Sequence, residues 1–97
     1  MVQADVLSKH LSAAGSIFAG PSRLKGIVVA PAVSTTATFE VRDGGATGTI
    51  VFQMDIPTNS NPNSYYIAIP ERGIKCNTNL YLTLSVGSVS GLTFFYG

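Results

Sequence analysis

Acid–base, nucleophilic or metal chemistry in this 97-residue chain would have to be built from one histidine, His10, one cysteine, Cys76, and five carboxylates, Asp5, Glu40, Asp43, Asp55 and Glu71. A zinc site needs further His or Cys ligands close to the first, and His10 has none. As a general base it would need a nucleophile and an orienting carboxylate. Ser8, Ser12 and Asp5 are near in sequence, but strand geometry does not converge them, so a surface or interface histidine is expected. Cys76 lies in a short apolar segment between turns, where a buried small hydrophobe is the ordinary reading and a reactive thiol would need a lowered pKa. The carboxylates do not pair at the spacing of a glycosidase or of an acidic metal loop. Asp43 heads Asp43-Gly44-Gly45, yet the alternating acidic pattern of a calcium loop is absent, and the reading is turn chemistry. Gly44, Gly45 and Gly48 could cradle a phosphate only with a lysine and a helix behind them, and neither follows. No catalytic, cofactor-binding or metal-binding residue is assigned, and the chain is expected not to be an enzyme.

Aromatic residues offer binding instead of catalysis. Tyr65-Tyr66 beside an Asn-rich segment, and Phe94-Phe95-Tyr96 near the end of the chain, could stack on sugars or bases. Neighbouring strand residues point to opposite faces, so only half of each group reaches one surface. Tyr65 and either Phe94 or Phe95 are expected in the core, with their neighbours on an outer sheet face as contacts for another subunit.

Composition narrows the partners. Charged residues make up 11% of the chain, against roughly 25% in an average soluble domain. Ser, Thr, Asn and Gly fill the polar positions, and a surface of that kind tolerates burial against a neighbour. A net charge of +1, with Lys9, Arg23, Lys25, Arg42, Arg72 and Lys75 scattered along the chain, cannot supply the field that nucleic acid or an anionic membrane requires. One cysteine excludes an intrachain disulfide, so the fold is held by packing or association. No basic segment with a following apolar run opens the chain and no stretch approaches the ~20 apolar residues of a spanning helix, which suggests an intracellular, soluble or assembled product.

The elements that must position these residues read as strands. Short alternating or β-branched runs are separated by Gly, Pro and Asn, with almost no helical periodicity. Residues 4–14 could form a short helix but also alternate, with Leu7, Lys9 and Leu11 on one side and Val6, Ser8 and His10 on the other, and are read as a strand. A second short run, 16–19, ends at Gly20-Pro21. Arg23 to Ala30 has a fully apolar centre and is expected to be central and covered on both faces. In 36–42, Ala37, Phe39 and Val41 point inward while Thr38, Glu40 and Arg42 face water. Asp43 to Gly48 turns this strand into 49–55 as a hairpin. Residues 56–64 form an exposed loop, and 65–70 a strand ended by Pro70. Glu71-Arg72-Gly73 is a turn, 74–76 a short strand and 77–79 another turn. Leu80, Leu82, Leu84 and Val86 point inward from 80–86, and 91–96 is the last strand. About eight short strands in so short a chain predict an all-β, single-domain antiparallel β-sandwich, because one open sheet would leave an apolar face in water. Residues 1–14 are its N-terminal strand or arm, and 15–97 its body.

The runs FAGPSRLKGIVVAP, FEVRDGGATGTIVFQMDIP, IAIPERGIKCNTNLYLTLS and TFFYG together span nearly the whole chain, and the arrangement resembles small virion structural proteins of tailed bacteriophages. Its motifs are turns and strands, so no functional residue is carried over. The resemblance implies a jelly-roll-like subunit of the capsid or tail, such as a capsid decoration or cement protein, located in the virion and assembled in the host cytoplasm. The implied partners are copies of itself and the major capsid protein or other virion proteins. Leu7, Leu11, Tyr66, Phe95 and Tyr96 are the candidate interface residues, with residues 1–14 able to add a strand to a neighbour. A tail or head–tail connector component, or a carbohydrate- or host-surface-binding module using the loop 58–64 and Tyr66, is the alternative.

Overall fold

A computed structural model describes residues 6–70 and 72–97. Among them are nine strands: β1 (Leu7–Leu11), β2 (Gly15–Phe18), β3 (Ser22–Pro31), β4 (Ala37–Asp43), β5 (Thr49–Ile56), β6 (Tyr65–Ala68), β7 (Ile74–Cys76), β8 (Leu80–Val86) and β9 (Val89–Tyr96). They build two antiparallel sheets. The first has the order β1-β9-β3-β6 with β7 also on β3, and the second the order β2-β8-β4-β5. The chain is a β-sandwich, as its alternation predicts.

The pairing is nested: β1 with β9, β2 with β8, β3 with β6 and β7, and β4 with β5. One long hairpin is thus rolled up so that successive strand pairs alternate between the two sheets, which is the jelly-roll path. Its tip is the β4–β5 turn, where Gly44 and Gly45 adopt φ of 113° and 91°, values that a side chain would strain. The expected strand at 65–70 and the short one at 74–76 both pair with β3, one after the other. They are two pieces of one sandwich edge, interrupted at Pro70, which cannot donate to a ladder. The backbone N–H of Gly73 donates to the Pro70 carbonyl at 3.0 Å to close the turn between them; Glu71 of the expected turn lies outside the described residues.

The core fills the space between the sheets. Leu24, Ile27, Val29, Leu92 and Phe94 from the first sheet meet Phe39, Val41, Leu80 and Leu82 from the second, each with no exposed surface. Phe39 joins the layers, its ring 6.4 Å from Phe94 in an edge-to-face contact and 6.0 Å from Phe52. Tyr96 also packs inward, 5.1 Å from the Phe18 ring. Cys76 is fully buried, in keeping with a packing role. The radius of gyration is 13.2 Å, the size expected of one domain of this length.

Several local expectations change. Ile56, assigned to the loop, ends β5 and is buried, and the final strand starts at Val89, two residues early. Val86, expected inside, is 49% exposed. A register shift places Val86 opposite Thr38 and Leu84 opposite Phe39, so the inward alternation of β8 stops at the bulge. Tyr65 lies on the inward-facing side of β6, opposite Val29, yet it is exposed, because it stands at the loop end of the sandwich beyond the packed layers. The face carrying Thr38, Glu40 and Arg42 is not simply wet: Glu40 is 1% exposed. β3 is central, but its outer face is only partly covered, with Val28 and Lys25 half-buried.

Candidate functional site

Two outer faces and one loop end are left once the core is accounted for, and they differ in chemistry. The outer face of the second sheet is polar. Glu40 sits in the middle of it, walled in sideways by β5 and β8. Its carboxylate accepts hydrogen bonds from Thr83 Oγ1 at 2.8 Å, from Ser85 Oγ, and from Gln53 Nε2 at 3.3 Å. Burial opposes its charge, but these hydrogen bonds, with Arg42 nearby, outweigh it and hold the carboxyl below its ordinary pKa. Arg42 in turn donates to Thr83 Oγ1 and to the Gly48 carbonyl. Every one of these groups is engaged with another, so the cluster clamps β4, β5 and β8 and offers no free base or nucleophile. Thr83 lies opposite Glu40, and the alternation of β8 puts Ser85 on the same outer face.

Asp43 is structural as well. Its carboxylate accepts the backbone N–H groups of Asn77, Thr78 and Asn79 at 2.9, 2.8 and 3.2 Å, and these bonds draw its pKa below the usual value. Asn79 Oδ1 returns the arrangement by accepting the N–H groups of Gly44 and Gly45. The hairpin tip and the β7–β8 turn are thereby tied together by two side chains, and the turn reading of Asp43 acquires a specific partner loop. Burial and the Asp43 charge push the Cys76 thiol up to about 11, leaving it protonated and a poor nucleophile. Among the described residues, no three His, Cys, Asp or Glu side chains come together as metal ligands would.

The outer face of the first sheet carries an apolar patch. Register places Phe95 and Gly26 side by side, and Tyr66 beside Val28. Gly26 has no side chain to fill the row, so Tyr66 leans over it and meets Phe95 edge-to-face with ring centres 6.2 Å apart. A shallow groove of about 420 Å³ results, lined by Val6, Lys25, Val28, Tyr66 and Phe95. Val6 and Tyr66 are 53% and 59% exposed, an unusual outlay of apolar surface in so small a domain. His10 lies on the same face, its Nδ1 3.2 Å from Thr93 Oγ1.

Of the five interface residues expected from the sequence, the structure brings Tyr66 and Phe95 together on this face. Tyr96 is corrected: it is 8% exposed and belongs to the core, because β9 alternates and Phe95 takes the outward position. Leu11 is half-buried against the core and Leu7 is exposed at the sheet edge. Both lie on the inner side of β1, opposite Leu92 and Tyr96, and so away from the Tyr66 groove. The described part of the segment 1–14 pairs with β9 of its own sheet, while residues 1–5 lie outside the described residues. Sequence reasoning missed Val6, Val28 and Gly26, whose part in the groove depends on three strands that are distant in the chain.

At the loop end, Tyr65, not Tyr66, faces the segment 57–64. Together with Thr58, Asn59 and Asn63 it lines a more polar pocket of about 280 Å³. Partial burial raises the pKa of its hydroxyl. Comparison of the chain with family models, with curated proteins and with solved structures finds no match in any of the three.

Proposed function

We propose that this chain is a non-enzymatic structural subunit of a tailed-phage virion, a capsid decoration or cement protein, that docks through the outer face of its first sheet. The observation that carries the docking surface is the Val6–Val28–Tyr66–Phe95 groove, an exposed apolar patch flanked by Lys25 on the sheet opposite the polar cluster of Glu40. Aromatic side chains with one polar tip are favoured at protein contacts, and a groove with two half-open rings suits an apolar side chain from a neighbour. The virion assignment itself rests on the resemblance of the strand and turn segments and on the low charge. Jelly rolls recur in capsid proteins, which agrees with it by analogy.

Tyr66→Lys tests the reading, since the residue is exposed and the change leaves the core alone. Tagged wild-type chain produced during infection is expected to sediment with particles in a density gradient, and the variant to stay at the top with an unchanged circular dichroism spectrum. Wild-type chain remaining free of particles refutes the virion role. Equal incorporation of both refutes the groove. Carbohydrate binding is the second reading, favoured by the pocket of Tyr65, Thr58, Asn59 and Asn63, since amide groups beside a ring suit a sugar. Glycan-array binding that is lost in Tyr65→Ala would support it. A tail or head–tail position is separated from a capsid one by locating the chain in the particle by cryo-electron microscopy.

A further inference from the structure

The sandwich has four edge positions, and three of them are protected. β1 carries Lys9 and His10, β2 is four residues long, and the β6–β7 edge is broken by Pro70 and carries Lys75. Short strands, charges and proline are the usual defences against edge-to-edge pairing. β5 is the least protected: it has no proline and no lysine or arginine, Asp55 is its one charge, and its bulge at Val51 leaves residues 52–56 as a regular edge. It is eight residues long, reads Thr-Ile-Val-Phe-Gln-Met-Asp-Ile, and among the described residues pairs only with β4. Its inward-facing Phe52 and Met54 are only half-buried, as expected of side chains with a neighbour on one side alone.

We infer that β5 is a self-pairing edge, at which a second copy of this chain adds its own β5 antiparallel across a two-fold axis at Met54. The register follows from the residues. A bulge makes Val51 the extra residue between Phe52, opposite Val41, and Ile50, opposite Arg42, so regular pairing is confined to residues 52–56. Centring on Met54 sets Phe52 of each copy against Ile56 of the other, and Gln53 against Asp55. Apolar residues then meet on the core side and an amide meets a carboxylate on the outer side, twice. Thr38 already donates to Asp55 Oδ1 at 2.8 Å, which leaves the second carboxylate oxygen for the incoming amide. Centring on Asp55 would oppose two like charges, and centring on Gln53 would set Asp55 against Val51. The product is a continuous eight-stranded sheet with both first sheets on the same side, so both Tyr66 grooves face one way. This deepens the self-association part of the proposed function, yet it does not need the groove.

A five-residue edge is a small interface, so dissociation in the range of about 10 µM to 1 mM is expected for the isolated chain. Directly opposed strand residues have Cα atoms within disulfide range. Met54→Cys should therefore oxidise to a covalent dimer, whereas Ile50→Cys, exposed but beyond the bulge, should not. Should Met54→Cys disturb the core, mixing exposed Gln53→Cys with exposed Asp55→Cys should give the mixed dimer in preference to either homodimer. The buried Cys76 does not compete. Wild-type chain that sediments as one copy throughout that range, or cross-linking at position 50 as fast as at 54, overturns the inference. Tyr66→Lys should dimerise like the wild type, so failure of the edge and failure of the docking groove are told apart.

Discussion

Replacing Glu40 with glutamine changes a charge while keeping almost the same shape, which isolates what the carboxylate does on the outer face of β4. Three side-chain donors, Thr83, Ser85 and Gln53, converge on it. A hydrogen bond to a charged acceptor contributes about 1 kcal/mol more than one to a neutral acceptor. In Glu40→Gln an NH2 group also replaces one acceptor and faces a donor. Against these losses stands the lifted cost of burying a charge. The net destabilisation should be about 1–2 kcal/mol, a fall in Tm of roughly 5–15 °C for a domain of this size. The decisive measurement is pH dependence. Because the folded carboxyl lies below its ordinary value of 4.5, the unfolded chain takes up its proton first as pH falls. The stabilisation is therefore complete above that value and lost as pH drops through the folded pKa. Urea unfolding of both proteins at pH 7 and near pH 3 should show the gap between them shrinking in acid. A gap that is independent of pH, or no gap at pH 7, would refute the account of Glu40 as an ionised clamp.

Other consequences are as direct. Asp43→Ala removes the acceptor for the amides of 77–79 and should speed their hydrogen exchange, together with that of Gly44 and Gly45, while the amides of β3 and β9 stay protected. Cys76 should resist a thiol reagent at pH 8 in the folded protein and react fully in urea; rapid native labelling would contradict its burial. Gly87 has φ of 63°, and a Cβ there would meet the Thr36 carbonyl oxygen, so Gly87→Ala should cost about 2 kcal/mol or more in a denaturation curve. Gly26→Ala would push only the exposed Tyr66 ring aside, and should lower melting temperature little while abolishing incorporation into particles.

Much of the candidate site was legible in outline. Period-two alternation sets which residues share a face, so Tyr66 could be placed outside and Phe39 inside without knowing the strand order, while Phe94 and Phe95 were left open between the core and the outer face. It could not tell Phe95 from Tyr96 at the outer face, because choosing between adjacent residues needs the phase of β9 against its neighbours. Nor could it foresee that Glu40 is buried: the residues that shield it lie 13, 43 and 45 positions away and meet it only through β5 and β8.

What the sequence determined by itself is local: strands where β-branched and aromatic residues alternate, breaks at Pro and Gly, a hairpin at Asp43-Gly44-Gly45, and an absence of charge. These follow from backbone sterics and side-chain period, which act within a few residues. Tertiary structure decided the nested pairing, the bulge that turns Val86 out, the convergence of Gln53, Thr83 and Ser85 on Glu40, the tie between Asp43 and Asn79, and the groove over Gly26. Each depends on which strand lies beside which. That choice is made by burying the apolar faces of both sheets at once, a condition on the whole chain that is met nowhere along it locally.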